Sequence, residues 1–375
     1  MPPPDDVGAH GDPARGDPAA ADPARADVAV PEGIATEAVS AWIGRTVPAS
    51  SPPYTFELIA GGRSNLTYRV TDAAGAVWAL RRPPVGHVLP TAHDMAREHR
   101  VISALGTVGF PVPRAVGLCQ EPSVNGSPFY LMEFVQGCIV RDRADAEHQL
   151  GEDARWRAGM SLAETLAQLH AIDIDHVGLG DFAKRDGYIH RQLRRWHAQF
   201  LESTVPGQEL PMVVARAHQE LTAAVPAQLA STVVHGDFRL DNVVLDPDGT
   251  VRAVLDWEIC TLGDPLADLG LLMVYWAEPG QAAVLEGVTA TQAPGFPGRG
   301  EIRDRYGEVS GRDLGHLAFY EAFGCWKLAC ILQGVYARYA AGAAAGDRSS
   351  VGSFGTAVVE LAERALATLE QQTPG

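Results

Sequence analysis

Residues 233–246, VVHGDFRLDNVVLD, set a polar segment between two runs of β-branched and aliphatic side chains. Val233 and Val234 lead in, and Val243, Val244 and Leu245 lead out. Short apolar runs bounded by turn residues read as buried strands. Asp237 and Asn242 therefore belong to a loop held at both ends by rigid scaffold, the kind of place where chemistry is carried. A DPDG turn at 246–249 returns the chain through VRAVLDWE (251–258), so a second apolar strand ends in Asp256. Antiparallel pairing of 243–246 with 251–255 would bring Asn242 and Asp256 to one end of the hairpin, close to Asp237. Three oxygen-bearing side chains then converge with no set of Cys or His beside them, a composition suited to Mg2+.

The flanking sequence divides by period. Residues 34–45 read as a helix, and 54–84 as three short strands at about 55–60, 66–71 and 76–82, broken by glycines and a DAAG turn. TAHDMAREHRVISALGTVG (91–109) has helical spacing, with Thr91 or Asp94 as its cap. PVPRAVGLCQ and PFYLMEFVQG add two strands around a VNGS turn. After Gly137 helical patterns take over, at 153–171, 187–202, 211–228, 265–277, 313–340 and 351–370. The expected architecture is α+β and bilobal, with an antiparallel β N-lobe carrying one long helix and a larger, mostly helical C-lobe. The domain bounds that follow are a tail at 1–33, an N-lobe at 34–136 and a C-lobe at 137–375.

The 375 residues are enough for two lobes with cores of their own. A formal net charge of −16 argues against a nucleic-acid binder, which needs a basic face. Seven acidic residues and two arginines in the Pro- and Ala-rich 1–33 segment supply −5 of that charge, and the segment reads as a disordered, solubilising tail. It has no basic start followed by an apolar core, so no targeting signal is expected there. Five cysteines without a CxxC pair point to a reducing, cytoplasmic setting with buried thiols. Glu321 and Lys327 interrupt the apolar stretch 317–336, which makes it a buried helix rather than a membrane span.

An Asp, an Asn five residues on and a second Asp a hairpin beyond is the pattern of phosphoryl transfer in kinases, where the first Asp takes the acceptor proton and the other two hold Mg2+. The sequence resembles the aminoglycoside phosphotransferase (APH)-like branch of the kinase fold. HGDFRLDN carries the match for the catalytic loop, LDWE stands where protein kinases have DFG, and GDPLADL (263–269) follows. GGRSNLTYRV, LRRPP, GFPVPRAVGLC and FYLMEFVQG extend the resemblance to phosphotransferase domains found alone in bacteria or fused to acyl-CoA dehydrogenases. It covers about residues 34–340.

The resemblance implies ATP and Mg2+ as cofactors, Asp237 as the base, and Asn242 and Asp256 as metal ligands. Gly61, Gly62 and Ser64 would cover the phosphates with backbone N–H groups. Arg81 stands in the register of the phosphate-binding kinase lysine, a departure from the general kinase pattern, with Arg82 as the fallback. Arg is permanently charged and grips phosphate bidentately. Glu98 would pair with Arg81, and the main-chain groups of Glu133 and Val135 would face adenine. His235 and His170 read as structural, Asp264 as a helix cap, and Asp268 as a brace for the catalytic loop. Glu258 is either support for the metal or part of a surface ion pair.

The segment 184–200, KRDGYIHRQLRRWHAQF, carries Lys184, Arg185, Arg191, Arg194 and Arg195 against Asp186. A solvated helix face accounts for them. The sharper reading is an anion site for the acceptor, with Arg191, Arg194 and Arg195 as its cations and Tyr188 and Trp196 as an apolar wall. The function expected is a small-molecule kinase. A hydroxyacyl-CoA is the leading acceptor by resemblance, and an aminoglycoside, sugar or amino alcohol the alternative. A nucleotide-binding pseudokinase is the reading from another class, motivated by Arg81 and opposed by the intact Asp237, Asn242 and Asp256.

Overall fold

The computed structural model describes residues 31–60, 65–85, 93–205, 207, 209–281, 288–340 and 351–371. The N-lobe runs α1 (Thr36–Thr46), β1 (Thr55–Ala60), β2 (Leu66–Thr71), β3 (Val77–Arg82), α2 (Met95–Gly106), β4 (Ala115–Cys119), the short α3 (Pro122–Asn125) and β5 (Phe129–Glu133). Its five strands form one antiparallel sheet in the order β1-β2-β3-β5-β4. The three strands expected at 55–60, 66–71 and 76–82 form almost at those limits.

Period-2 alternation decides what the sheet offers to each side. Trp78 and Leu80 of β3 pack with Tyr68, Phe129 and Leu131 against Val39, Trp42 and Ile43 of α1. Ala79 and Arg81 point the other way, where α2 packs, and in register Arg81 faces Thr67 of β2 and Tyr130 of β5. Asp94 caps α2 through a 3.0 Å hydrogen bond from the Arg97 N–H. Thr91, the alternative cap, lies outside the described residues, as does the tail at 1–30.

The C-lobe runs α4 (Arg143–Gln149), α5 (Glu152–Ala171), α6 (Tyr188–Glu202), α7 (Met212–Ala223), β6 (Thr232–Val234), β7 (Val243–Leu245), β8 (Val251–Val254), β9 (Thr261–Gly263), α8 (Leu266–Tyr275), α9 (Arg299–Ser310), α10 (Leu317–Ala340) and α11 (Val351–Glu370). Two differences from the sequence reading have clear causes. Helix α7 stops at Ala223 rather than 228, because Pro226 removes a donor and biases the residue before it away from helix. Helix α9 has no periodic signature in the sequence because it buries only Ile302 and Tyr306, too few apolar positions to write a period. The three-residue strand β9 was also unanticipated; it pairs with β6 and so stiffens the entrance to the 235–242 loop.

Helix α10 packs between α8 and α11 in the main core, and among the described residues no helix is long and apolar enough to cross a membrane. Cys119, Cys260, Cys325 and Cys330 are buried free thiols and Cys138 is half-buried. Helices α8 and α10 approach closely because Gly270 has no side chain: a Cβ there would lie 2.5 Å from the Tyr320 carbonyl carbon. Gly270→Ala should therefore force the helices apart and cost roughly 1–3 kcal/mol, read as a lower melting temperature by calorimetry.

Candidate active site

Strand β6 delivers the chain to His235, Gly236 and Asp237, where Gly236 has φ of +87°, a left-handed conformation open to glycine without strain. The reversal is held by a buried carboxylate. Asp268, in the first turn of α8, accepts the His235 N–H at 2.7 Å and the Gly236 N–H at 2.8 Å. Its Oδ2 also lies 3.4 Å from His170 Nε2, while His170 Nδ1 is 2.8 Å from the Tyr306 hydroxyl. Burial pushes the Asp268 carboxyl up, yet the hydrogen bond and charge of His170 and the Gly236 N–H hold it below the usual range. His235 stands on the loop as a structural residue: Nε2 is 2.8 Å from the Leu255 carbonyl, and Nδ1 accepts the Asp237 N–H at 3.2 Å. Asp264 caps α8, accepting from Leu266 N–H at 3.0 Å.

A 3-10 turn at Leu240–Asn242 folds the loop back on itself. Asn242 Nδ2 donates to the Asp237 carbonyl at 2.8 Å and to its Oδ2 at 3.0 Å, and Arg239 Nε reaches the same oxygen at 3.3 Å. The β7–β8 hairpin pairs Val243 with Val254, and Leu255 N–H donates to the Asn242 carbonyl at 2.8 Å. Asp237, Asn242 and Asp256 thus meet where the two hairpin strands end. Asp256 has φ of +61°, the one positive φ among the described non-glycine residues, and its side chain turns toward the N-lobe.

Arg81 meets it there. Its Nη2 donates to Asp256 Oδ1, and its Nε donates to Glu98 Oε2 of α2 at 2.9 Å. Burial works against the Arg81 charge, but Glu98 and Asp256 raise the guanidinium above its ordinary range. Glu98 also accepts from Asn65 Nδ2 at 2.8 Å and from the Tyr130 hydroxyl at 3.1 Å, which satisfies a buried carboxylate on every side. Arg82 points to the opposite face and donates to the Pro83 carbonyl at 3.0 Å and the Gly33 carbonyl, so it is not a substitute for Arg81. Glu258 accepts from Asn65 Nδ2 at 3.2 Å and lies 3.9 Å from Arg81 Nη2, inside the same network.

Between the lobes lies a cleft of about 780 Å3, whose lining includes Arg81, Glu133, Val135, Asn242 and Asp256. The Glu133 N–H is donated to the Arg114 carbonyl at 2.9 Å, so of its main-chain groups only the carbonyl remains to meet a ligand. Gly61, Gly62 and Ser64 lie outside the described residues.

The cationic segment is less unified than the sequence implied. Tyr188 is a correction: it is 3% exposed, with its ring against Gly263, and forms core rather than a wall for an acceptor. Arg191 turns back and donates to the carbonyls of Lys184, at 2.6 Å, and Asp186, so it closes the turn before α6. Arg185 pairs with Asp175. Arg194 and Arg195 are exposed, and the Arg195 guanidinium carbon lies 5.2 Å from the centre of the Trp196 ring. Side chains with little signal in the sequence also enter the site, Arg239 and Tyr130 among them. Asn65 directly follows the predicted phosphate loop, and Lys327 donates to the Gly236 carbonyl at 2.9 Å. The one sequence signal for Lys327 was a charge within an apolar helix.

The profile of the phosphotransferase enzyme family APH matches residues 55–304. The chain belongs to that family. It is similar to acyl-CoA dehydrogenase family member 11 of Rattus norvegicus, 38% identical over 311 residues that make up 81% of this chain and 39% of that protein. Among solved structures it is similar to a Ralstonia eutropha JMP134 protein provisionally described as an aminoglycoside phosphotransferase. The identity is 30% and the TM-score 0.75, covering 90% of this chain and 98% of that one. The GDP complex of aminoglycoside 2'-phosphotransferase-IIIa shares the fold, with TM-score 0.59 and 14% identity, covering 88% and 99% of the two chains. The chain spans about two fifths of the length of the member 11 relatives it matches, and less of member 10. An APH-family chain is a small-molecule phosphotransferase with a kinase-like fold, and the antiparallel N-lobe and helical C-lobe described above are that fold.

The buried carboxylate at the base of the APH loop has a pH signature. Its folded-state pKa is depressed, so the stability it adds is fully present above the ordinary carboxylate range and is lost as pH falls below that range and through the lower folded-state value. Asp268→Asn should lower stability at pH 7 by roughly 3–5 kcal/mol, the scale for breaking a buried charged network. The gap to wild type should narrow below about pH 4. Urea unfolding of both proteins at a series of pH values measures it, and a gap that widens toward acid would contradict the account.

Proposed function

We propose that this chain moves the γ-phosphoryl group of ATP, with Mg2+, to a hydroxyl of a small molecule. The observation that carries the reading is one arrangement: Arg81 joins Glu98 to Asp256 at the cleft, while Asn242, also on the cleft, is bonded to the carboxylate of Asp237. Membership of the APH family supports the reaction class, and the bound GDP of a protein sharing this fold supports a nucleotide as donor.

The roles follow from where each group stands. Arg81, kept charged by two carboxylates, is the cation for the nucleotide phosphates, and Glu98 holds it in place. The Glu133 carbonyl and the Val135 N–H, both on residues that line the cleft, would meet the nucleotide base. Asp237 accepts the proton of the acceptor hydroxyl as its oxygen bonds to phosphorus and the bond to the β-phosphate oxygen breaks, releasing ADP. The Asn242 amide and Arg239 orient the Asp237 carboxylate by donating to Oδ2.

The donor set fits Mg2+. Asn242 spends its Nδ2 on Asp237, which leaves Oδ1, and Asp256 adds a carboxylate, both of them hard oxygen ligands. Among the described residues no group of three or more His, Cys, Asp or Glu is disposed to hold a metal unaided. Mg2+ is commonly held by one or two carboxylates together with substrate phosphates. When bound, Mg2+ neutralises charge on the phosphates.

A hydroxyacyl-CoA is the acceptor we favour. The support is the similarity to acyl-CoA dehydrogenase family members 10 and 11, together with exposed Arg194 and Arg195 on α6 in an otherwise acidic chain. An aminoglycoside would call for an acidic acceptor surface instead.

ADP release with Mg·ATP across 3- and 4-hydroxyacyl-CoAs, aminoglycosides, choline, homoserine and sugars tests the acceptor. Selective turnover of a hydroxyacyl-CoA is expected; selective turnover of an aminoglycoside would overturn the acceptor and keep the mechanism. Asp237→Asn should lower kcat by about 10²–10⁴ while binding of a fluorescent ADP analogue is unchanged. Wild-type rates in that variant would remove Asp237 as the base. Nucleotide binding without turnover of any acceptor would favour a regulatory pseudokinase. Arg195→Glu should raise KM for a CoA thioester and leave KM for ATP as it was.

A further inference from the structure

We propose that Lys327 is a positioning residue for phosphoryl transfer, its ammonium fixing the Gly236 carbonyl and through it the placement of Asp237. The inference rests on the reading of Asp237 as the base. Lys327 lies in α10, is 5% exposed, and donates to the Gly236 carbonyl at 2.9 Å. The Gly236 N–H is bonded to Asp268 at 2.8 Å. Both backbone polar groups of the residue before Asp237 are therefore held by oppositely charged side chains, one from α8 and one from α10.

The clamp falls where the chain most needs it. Gly236 is left-handed at φ +87°, and a glycine has the widest choice of alternative conformations. The carbonyl held by Lys327 belongs to the peptide that enters Asp237, so rotation of that peptide would swing the carboxylate. Misplacement of a reacting group by about 1 Å costs on the order of 10²-fold in rate.

An ammonium is an expensive group to keep in this part of α10. Its sequence neighbours Trp326 and Leu328 are buried, and a methionine of similar length would suit such surroundings. No salt bridge to Lys327 forms among the described residues. Burial pushes the lysine below its usual range, against the pull of Asp237 and Asp268. Trp196 offers its ring to the ammonium at 5.7 Å and to Arg195 at 5.2 Å. Neither Lys327 nor Trp196 lines the interlobe cleft, so the clamp does not act by touching a nucleotide there.

Amide hydrogen exchange and kinetics on the full chain test this together. In K327M, exchange across 235–242 should rise at least ten-fold while helix 266–275 stays within two-fold of wild type. The kcat for acceptor-independent Mg·ATP hydrolysis should fall at least ten-fold with KM for Mg·ATP within two-fold. K327R, which keeps a charged donor, should recover part of both losses. Unchanged exchange, faster exchange with unchanged kcat, or a rise in KM matching the fall in kcat would each overturn the proposal. If K327M does not fold, K327R against K327Q makes the comparison, and equal rates and equal exchange in that pair would count against the charged clamp. Exchange needs no turnover, so it decides the clamp even if wild type does not hydrolyse ATP. Asp237→Asn run alongside tests the base separately: full rates there would refute the reading of Asp237, whatever Lys327 does.

Discussion

One buried carboxylate organises the C-lobe. Asp268 takes two consecutive backbone N–H groups from the loop that carries Asp237, and the oxygen that holds the His235 N–H also meets His170. A charge with this little exposure is tolerated only where its acceptor sites are filled, and here the groups that fill them are the loop itself. The folding of α8 against α10 thereby becomes the placement of a loop. Strand β9, paired with β6, and Gly270, which admits α10 to α8, serve the same end.

The second organising contact joins the lobes. Arg81 sits on a strand of the N-lobe, yet its guanidinium bonds both Glu98 of its own lobe and Asp256 of the other. A planar fork with five donors can serve two carboxylates at once, which an ammonium does less well. Arginine at this position thus has a structural consequence: the same side chain ties the two halves of the cleft together. Asn65 and Tyr130 complete the set around Glu98, so the ion pair is embedded in a network and not isolated at the surface.

Much of the site was legible in the residues. Alternation along VWALRR separates Arg81 from Arg82, and the sheet does send one to the cleft and the other to the opposite face. The hairpin inferred from the DPDG turn brings Asn242 beside Asp256 as its pairing requires. The cationic segment was read less well. Spacing on α6 described which arginines share a face, but not that Arg191 would spend its guanidinium on carbonyls at 184 and 186, or that Tyr188 would lie under Gly263. Helical spacing gives direction around an axis, and says nothing of how deep the axis sits.

By itself, then, the sequence determined what is local: strands and helices from their periods, the loop between two apolar runs, and the order of Asp237, Asn242 and Asp256. Tertiary structure decided which distant groups those elements meet. Lys327 is 91 residues from the carbonyl it holds, Arg81 is 175 from Asp256, and Asn65 is 193 from Glu258. Periodicity acts over one or two turns of chain, whereas a buried charge finds its partner only when packing has excluded water and left that partner as the favourable contact.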